Sequence, residues 1–239
     1  TWQYTQESMR GKSELVKKNS ANQTSSGLDR DYITQWSYGI DETWTLLVPN
    51  TKGGASMPLA MNEKAMQKAD PQFYQIYQPL GHYWGNQPGT SGPVYVGAFV
   101  LMLFVLGLFI VKGPMKWVLF LATCLSILLS WGHNFMWFTD LFLDYVPMYA
   151  KFRTVASILV IAEFTIPLLA MLALKKIFDT PDFFTQKIRI YLGTSKHPII
   201  AHNTTNMFWL WASFIATGGI ALLFAIMPSI FFPDYVSAS

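Results

Sequence analysis

Four long apolar runs follow residue 93 of this chain, and they leave it few ways to fold in water. They span 94–111, 117–131, 156–174 and 208–227. The first holds about eighteen residues without a charge, the length at which an α-helix crosses the hydrocarbon core of a bilayer. The second is shorter, about fifteen residues, and spans only if Gly132 extends it or its tilt is small. The third contains Glu163 and Pro167. The fourth is uncharged and carries Gly218-Gly219, a place for close helix approach or a kink. The fold class expected is mainly α: a polytopic membrane protein with about four spanning helices. Only 13% of the residues are charged, about half the usual share for a soluble domain.

Residues 1–92 read differently. Eight basic residues there (Arg10, Lys12, Lys17, Lys18, Arg30, Lys52, Lys64, Lys68) meet eight acids (Glu7, Glu14, Asp29, Asp31, Asp41, Glu42, Glu63, Asp70). Turn residues recur at Ser26-Gly27, Pro49-Asn50, Gly53-Gly54 and Asn86–Gly89. Thr43–Val48 reads as a short strand, and 62–68 as a short helix. The expectation is a loop-rich, water-exposed segment. The overall charge of +3 is too small and dispersed for a nucleic-acid partner. Cys124 is alone, so no disulfide framework exists. The chain carries no GxGxxG, Walker, CxxC or HExxH pattern. Neither end shows a start or signal pattern, and the chain reads as an internal piece of a longer polytopic protein.

Short basic loops orient the runs. Lys112 and Lys116 bracket the Gly113-Pro114 turn. Lys175, Lys176, Lys187, Arg189 and Lys196 follow the third run. Both loops are expected in the cytoplasm. That puts 1–92, 132–155 and the end segment 229–239 on the extracytoplasmic side, flanking a transmembrane region over 93–228. Asn22-Gln-Thr24 and Asn203-Thr-Thr205 match the glycosylation sequon, a weak pattern.

The outer loop 132–155 carries the chemistry. Phe138, Leu141, Phe142 and Tyr145 recur at helical spacing, so 135–146 reads as an interfacial helix with Asp140 and Asp144 on its opposite side. Pro147 ends or redirects it. Two carboxylates four apart repel weakly. They are tolerated because they are solvated, because they meet Lys151 or Arg153, or because they hold a divalent cation; acid/base chemistry is a further option. Lys151 and Arg153 stand where the charge rule places few cations. They either snorkel to lipid head groups or hold a phosphate-bearing lipid, the fork of Arg being suited to phosphate; Tyr149 supplies an amphipathic flank. His133 is read as a hydrogen-bonded anchor, with catalysis as the alternative. Glu163, ionisable at membrane depth, is functional or is protonated or paired with another helix.

Several strings in order resemble the YfhO-like family of bacterial membrane proteins: Ser8–Leu15, Ser26–Gly39 through Glu42-Thr43, Pro49–Gly54, Tyr83–Pro88 leading into Ser91–Gly97, and Leu143–Arg153. The resemblance covers most of 8–176. It implies a glycosyltransferase of GT-C type in the bacterial cytoplasmic membrane. Such a protein moves a sugar from a polyprenyl-phosphate donor to a cell-envelope polymer or lipid acceptor. It implies partners in membrane lipids and in the rest of the same polytopic chain, and a catalytic acid preceding Thr1. On this sequence Pro147, Lys151, Phe152 and Arg153 match the family's outer-loop motif, with Arg153 expected at the lipid phosphate. A transporter or flippase is the alternative, drawing on Glu163, Pro167 and Gly218-Gly219, although no inverted repeat is visible. A non-catalytic membrane scaffold is the third reading.

Overall fold

Glycine and proline decide where the helices of this chain break. The computed structural model describes residues 28–89, 94–194 and 197–228. The string Ser8–Leu15, the Asn22 sequon and the segment 229–239 lie outside the described residues. The described residues are mainly helical, with two small antiparallel sheets. It divides into two compact units. One is built from the described parts of Thr1–Thr45, Pro49–Tyr95 and Cys124–Ala162. The other is built from those of Leu46–Val48, Val96–Thr123 and Glu163–Ser239.

The apolar runs become helices α4 (Ala98–Ile110), α5 (Met115–Ser130), α7 (Val160–Phe178) and α8 (Met207–Ile226), counted after three short helices introduced below. Among the described residues, two helices are long and apolar enough to cross a membrane: Val155–Phe178, in which a 3-10 turn leads into α7, and α8. The four full spans expected are thus not all of one kind. Helix α4 has only 13 residues, a rise of about 20 Å. Helix α5 ends at Ser130, and Gly132 just beyond it has a φ of 47°, in the left-handed region that a side chain resists. The chain then bends by 108° into α6 (Met136–Tyr145), the helix expected over 135–146. Its last turn closes where Val146 leaves the helical region ahead of Pro147.

The second unit has a core of Leu103, Leu106, Ile110, Ala170, Ala173 and Phe183, against which Trp209 and Leu210 pack. Gly107 permits this: a Cβ there would lie 3.0 Å from the Leu169 carbonyl oxygen. Phe109 and Trp209 stack with centroids 4.4 Å apart. Thr123 and Thr165 share a buried hydroxyl hydrogen bond of 2.6 Å between α5 and α7. The Lys-rich loop after the third run forms a hairpin, β3 (Lys187–Thr194) with β4 (His197–Thr205), slipped in register at Leu192/Gly193.

In the first unit, α1 (Arg30–Ile33) is followed by a 3-10 helix over Asp41–Leu46. This replaces the strand expected at Thr43–Val48. The Glu42 carboxylate accepts from Gly39 N at 2.6 Å, and the Thr45 and Thr51 hydroxyls pair at 2.6 Å, so local polar closure overrides β-propensity. Strands β1 (Gly53–Pro58) and β2 (Gly81–Tyr83) then form a hairpin enclosing α2 (Glu63–Lys68) and α3 (Tyr74–Tyr77). The short helix expected over 62–68 is α2.

The buried face of α6 differs from the stripe read in the sequence. Thr139 and Leu143 are buried, and Leu143 joins Ile33, Ala150 and Val155 in a core, whereas Leu141 and Tyr145 are exposed. The cause is α1. It docks on the other side of α6 and brings its own apolar residue, Ile33, to Leu143.

Candidate functional site

The segment 28–38 is fastened to the outer loop by its backbone. Leu28 N donates to Ala150 O at 2.9 Å, Tyr38 N to Ser130 O at 2.8 Å, and Ala156 N to Trp36 O at 3.1 Å. Backbone pairing of this kind fixes side chains more firmly than side-chain contacts alone. Residues separated by more than a hundred positions thereby share one surface.

Arg30 answers the question of the paired acids. Its Nε donates to Asp140 Oδ1 at 2.9 Å and its Nη2 to Asp144 Oδ1 at 2.8 Å. One guanidinium neutralises both carboxylates, the role the sequence reading gave to solvent, to Lys151 or Arg153, or to a divalent ion. Asp140 and Asp144 are ion-pair partners that clamp α1 to α6. Among the described residues, no three His, Cys, Asp or Glu side chains come together to hold a metal.

Arg153 lies on the other side of this docked segment. Tyr149–Lys151 forms a 3-10 turn, Phe152 is extended, and Arg153 follows. The loop is bracketed by Met148 at φ 71° and Thr154 at φ 72°, both left-handed. A β-branched residue there costs on the order of 1–2 kcal/mol, and such strain gathers at functional sites. The guanidinium carbon sits 3.8 Å from the Trp36 ring centroid and 4.8 Å from that of Tyr32. Nη1 donates to the Tyr32 hydroxyl at 3.1 Å. The side chain is exposed and has no carboxylate partner among the described residues. It opens onto an apolar pocket of about 240 Å³, walled by Tyr149, Phe152, Val155 and Ile158.

Lys151 and Arg153 are separated rather than paired. Lys151 is 8% exposed and is not part of the pocket wall. Tyr149 belongs to that wall. Its hydroxyl is buried with no hydrogen-bond partner among the described residues, and burial pushes its pKa up to about 12. Glu163, in the first turn of α7, is exposed and forms no ion pair among the described residues.

His133 is an anchor. Its Nδ1 lies 3.0 Å from Thr34 O, which assigns the proton to Nδ1, and its backbone N donates to Ser37 Oγ at 2.9 Å. Asn134 joins Tyr38 O at 2.9 Å and Asn86 at 3.1 Å, and Trp131 Nε1 donates to Thr43 Oγ1 at 2.8 Å.

Sequence reasoning missed Glu42. It is fully buried and accepts from Gly39 N, from Asn86 N at 3.4 Å and, in a short contact, from the Tyr83 hydroxyl. Gly85 makes the room, since a Cβ there would meet both Glu42 Oε1 and the Tyr83 oxygen at 2.1 Å. Burial, and then the bond to Glu42, hold the Tyr83 phenol well above its usual pKa. The signal was an acid beside Gly39 and a Tyr83-Trp-Gly85 turn, but no spacing rule links positions forty apart. Sequence reasoning also missed Tyr32 and Trp36, the platform for Arg153.

Comparisons with protein-family models, with curated proteins and with solved structures return no significant match.

Proposed function

We propose that this chain is the phosphate-holding part of a membrane glycosyltransferase of the YfhO-like kind, which moves a sugar from a polyprenyl-phosphate donor to a cell-envelope acceptor. One observation carries the reading. Arg153 is an exposed cation at the mouth of an apolar pocket, while the nearest acids on α6 are committed to Arg30. A guanidinium with no carboxylate partner among the described residues, beside an apolar groove, suits a lipid phosphate: the fork takes the oxygens and the groove takes the chain. Negative charge grows on that phosphate as the glycosidic bond to it breaks, and a fixed cation stabilises it there. Asp140 and Asp144, tied to Arg30, do not serve as the base for the acceptor hydroxyl. In this proposal the protein sits in the bacterial cytoplasmic membrane, all four apolar runs lie at membrane depth, and Arg153 faces the extracytoplasmic side.

The test is sugar transfer by the full-length protein in proteoliposomes. Arg153→Ala should lower transfer at least about a hundredfold, as loss of one charged transition-state contact does, with unchanged membrane insertion. Arg153→Lys should recover only part. Transfer at the wild-type rate by Arg153→Ala would remove Arg153 from the mechanism.

A further inference from the structure

The aromatic face against Arg153 is held from a point far from the pocket. Trp36 stacks on the guanidinium, and its Nε1 donates to Pro88 O at 2.7 Å. Proline has no N–H, so that carbonyl is its one backbone group able to hold the indole. Pro88 ends a turn that begins at Tyr83, and the turn is tied to Glu42. The Tyr83 hydroxyl donates to Glu42 Oε1, and Asn86 N donates to Oε2 at 3.4 Å. The Tyr83 oxygen accepts in turn from Gln87 N at 3.1 Å, which joins the carboxylate to the residue before Pro88. Gly39 N, at 2.6 Å from Oε2, anchors Glu42 from the other side. A continuous path thus runs from Glu42 through Tyr83, Gln87-Pro88 and Trp36 to Arg153, all within the first unit.

Burial sets this path apart from ordinary surface bonding. Glu42 is fully buried and forms no ion pair among the described residues. Burying a carboxylate is costly unless its bonds are made, and a satisfied buried network holds its members in one arrangement. We infer that Glu42 is a positioning residue for Arg153: it fixes the 83–88 turn, the turn holds the Trp36 indole through Pro88 O, and the indole orients the guanidinium at the pocket mouth. This rests on the reading of Arg153 as the phosphate-holding residue and adds what orients that cation before a ligand arrives. A guanidinium already ordered loses less freedom on binding. With the hold cut, the indole turns about its own side-chain bonds and the arginine stem regains its rotamers.

The experiment reads Arg153 directly, without sugar transfer. Full-length protein in non-ionic detergent is labelled with phenylglyoxal, which condenses with accessible guanidinium groups, and the rates at Arg153 and Arg30 are taken from peptide mass spectra. Tyr83→Phe keeps the ring and removes the link to Glu42 and Gln87. It should speed labelling of Arg153 about fivefold, the scale of one lost hydrogen bond. Glu42→Gln, which keeps the shape but not both acceptor oxygens, should act in the same direction. Arg30 lies on the same docked segment but is held by Asp140 and Asp144, so its rate should stay unchanged. Trp36→Phe keeps a stacking face and loses Nε1, which cuts the path beyond Pro88. It should also speed Arg153, and adding Tyr83→Phe to it should have no further effect. Wild-type labelling of Arg153 in Tyr83→Phe overturns the proposal. So does equal acceleration at Arg30, which marks general loosening, and so do fully additive effects of Tyr83→Phe and Trp36→Phe. In proteoliposomes, Tyr83→Phe should lower sugar transfer about fivefold in the wild-type background and not at all in Arg153→Ala. The expected labelling pattern in a protein whose Arg153→Ala variant transfers at the wild-type rate keeps the positioning path and removes the phosphate-holding role, so the two fail separately.

Discussion

The Arg153 guanidinium lies 3.8 Å from the centre of the Trp36 indole, across 117 positions of sequence, because the backbone amide of Ala156 donates to the Trp36 carbonyl. A single main-chain hydrogen bond three residues beyond the arginine sets the register of the pair. The cation is therefore placed by tertiary docking and not by its own flexible stem. The same docking explains why Arg30, and not Arg153, reaches the acids of α6.

The Arg30 clamp should be measurable. Its side chain is 22% exposed, and those of Asp140 and Asp144 are 39% and 43% exposed, so solvent screens the pairs. Arg30→Ala should cost about 1 kcal/mol, read as a lowered midpoint of thermal unfolding in detergent. Part of the cost is the repulsion left between the two carboxylates. Adding Asp140→Asn and Asp144→Asn to Arg30→Ala should recover some of the loss. No change in midpoint for Arg30→Ala would show that the clamp contributes nothing.

Gly132 should tolerate no side chain. A Cβ there would lie 2.0 Å from Ser37 Oγ and 2.6 Å from Val155 Cγ2, at a positive φ. Gly132→Ala should cost about 3 kcal/mol or more and reduce the yield of monodisperse protein in size-exclusion chromatography. Gly219→Ala, where no atom lies within 4 Å of the new Cβ, should leave the yield unchanged. Equal yields from the two variants would contradict the bend at Gly132.

Tyr83 and Tyr149 should make the fold alkali-sensitive. An unfolded tyrosine titrates near about 10. Tyr149 is raised to about 12 by burial, and Tyr83 is raised by burial and by its bond to Glu42. A phenol whose folded pKa is raised favours the native state while both states are protonated, and that contribution disappears as pH climbs from about 10 through the folded value. Absorbance of tyrosinate at 295 nm should therefore rise in two stages. Phenols open to water ionise first, and a later step coincides with unfolding. Tyr83→Phe and Tyr149→Phe should each shrink the second step only. A single smooth titration would contradict the burial of both groups.

The Thr123–Thr165 contact joins two apolar helices in the second unit. Replacing either by Val keeps the shape and removes one hydroxyl. A double-mutant cycle with Thr123→Val and Thr165→Val should give a coupling of about 0.6 kcal/mol, the usual scale for hydroxyl pairs between membrane helices. A coupling indistinguishable from zero would show that each hydroxyl is equally satisfied by its own helix, as Thr123 Oγ1 already is by Leu119 O at 2.8 Å.

Much was legible in the sequence because it is local. Long apolar runs without charge form helices wherever they lie, since each backbone bond closes within four residues. The end of α6 near Pro147, the turn at Gly113 and the short helix after Asn62 follow from the same short-range rules. The segment after the third run was expected as a basic loop and forms the hairpin β3–β4, whose strand period lies in the alternation of Lys187, Ile188, Arg189 and Ile190. The strand expected at Thr43–Val48 failed because Glu42 and Thr45 found polar partners nearby that a strand would have left unmade.

The sequence by itself determined a chain of apolar helices, an interfacial-type helix with two acids, and a cation loop after Pro147. Tertiary structure alone decided which arginine meets the acids and which meets the aromatics. Asp140 and Asp144 are at equal liberty, by sequence, to pair with Arg30, Lys151 or Arg153. Leu28 N bound to Ala150 O and Ala156 N bound to Trp36 O fix one choice. Charge attraction is long-ranged and indifferent to sequence separation, whereas the backbone pairings that position the charges are directional and occur once the whole segment has docked.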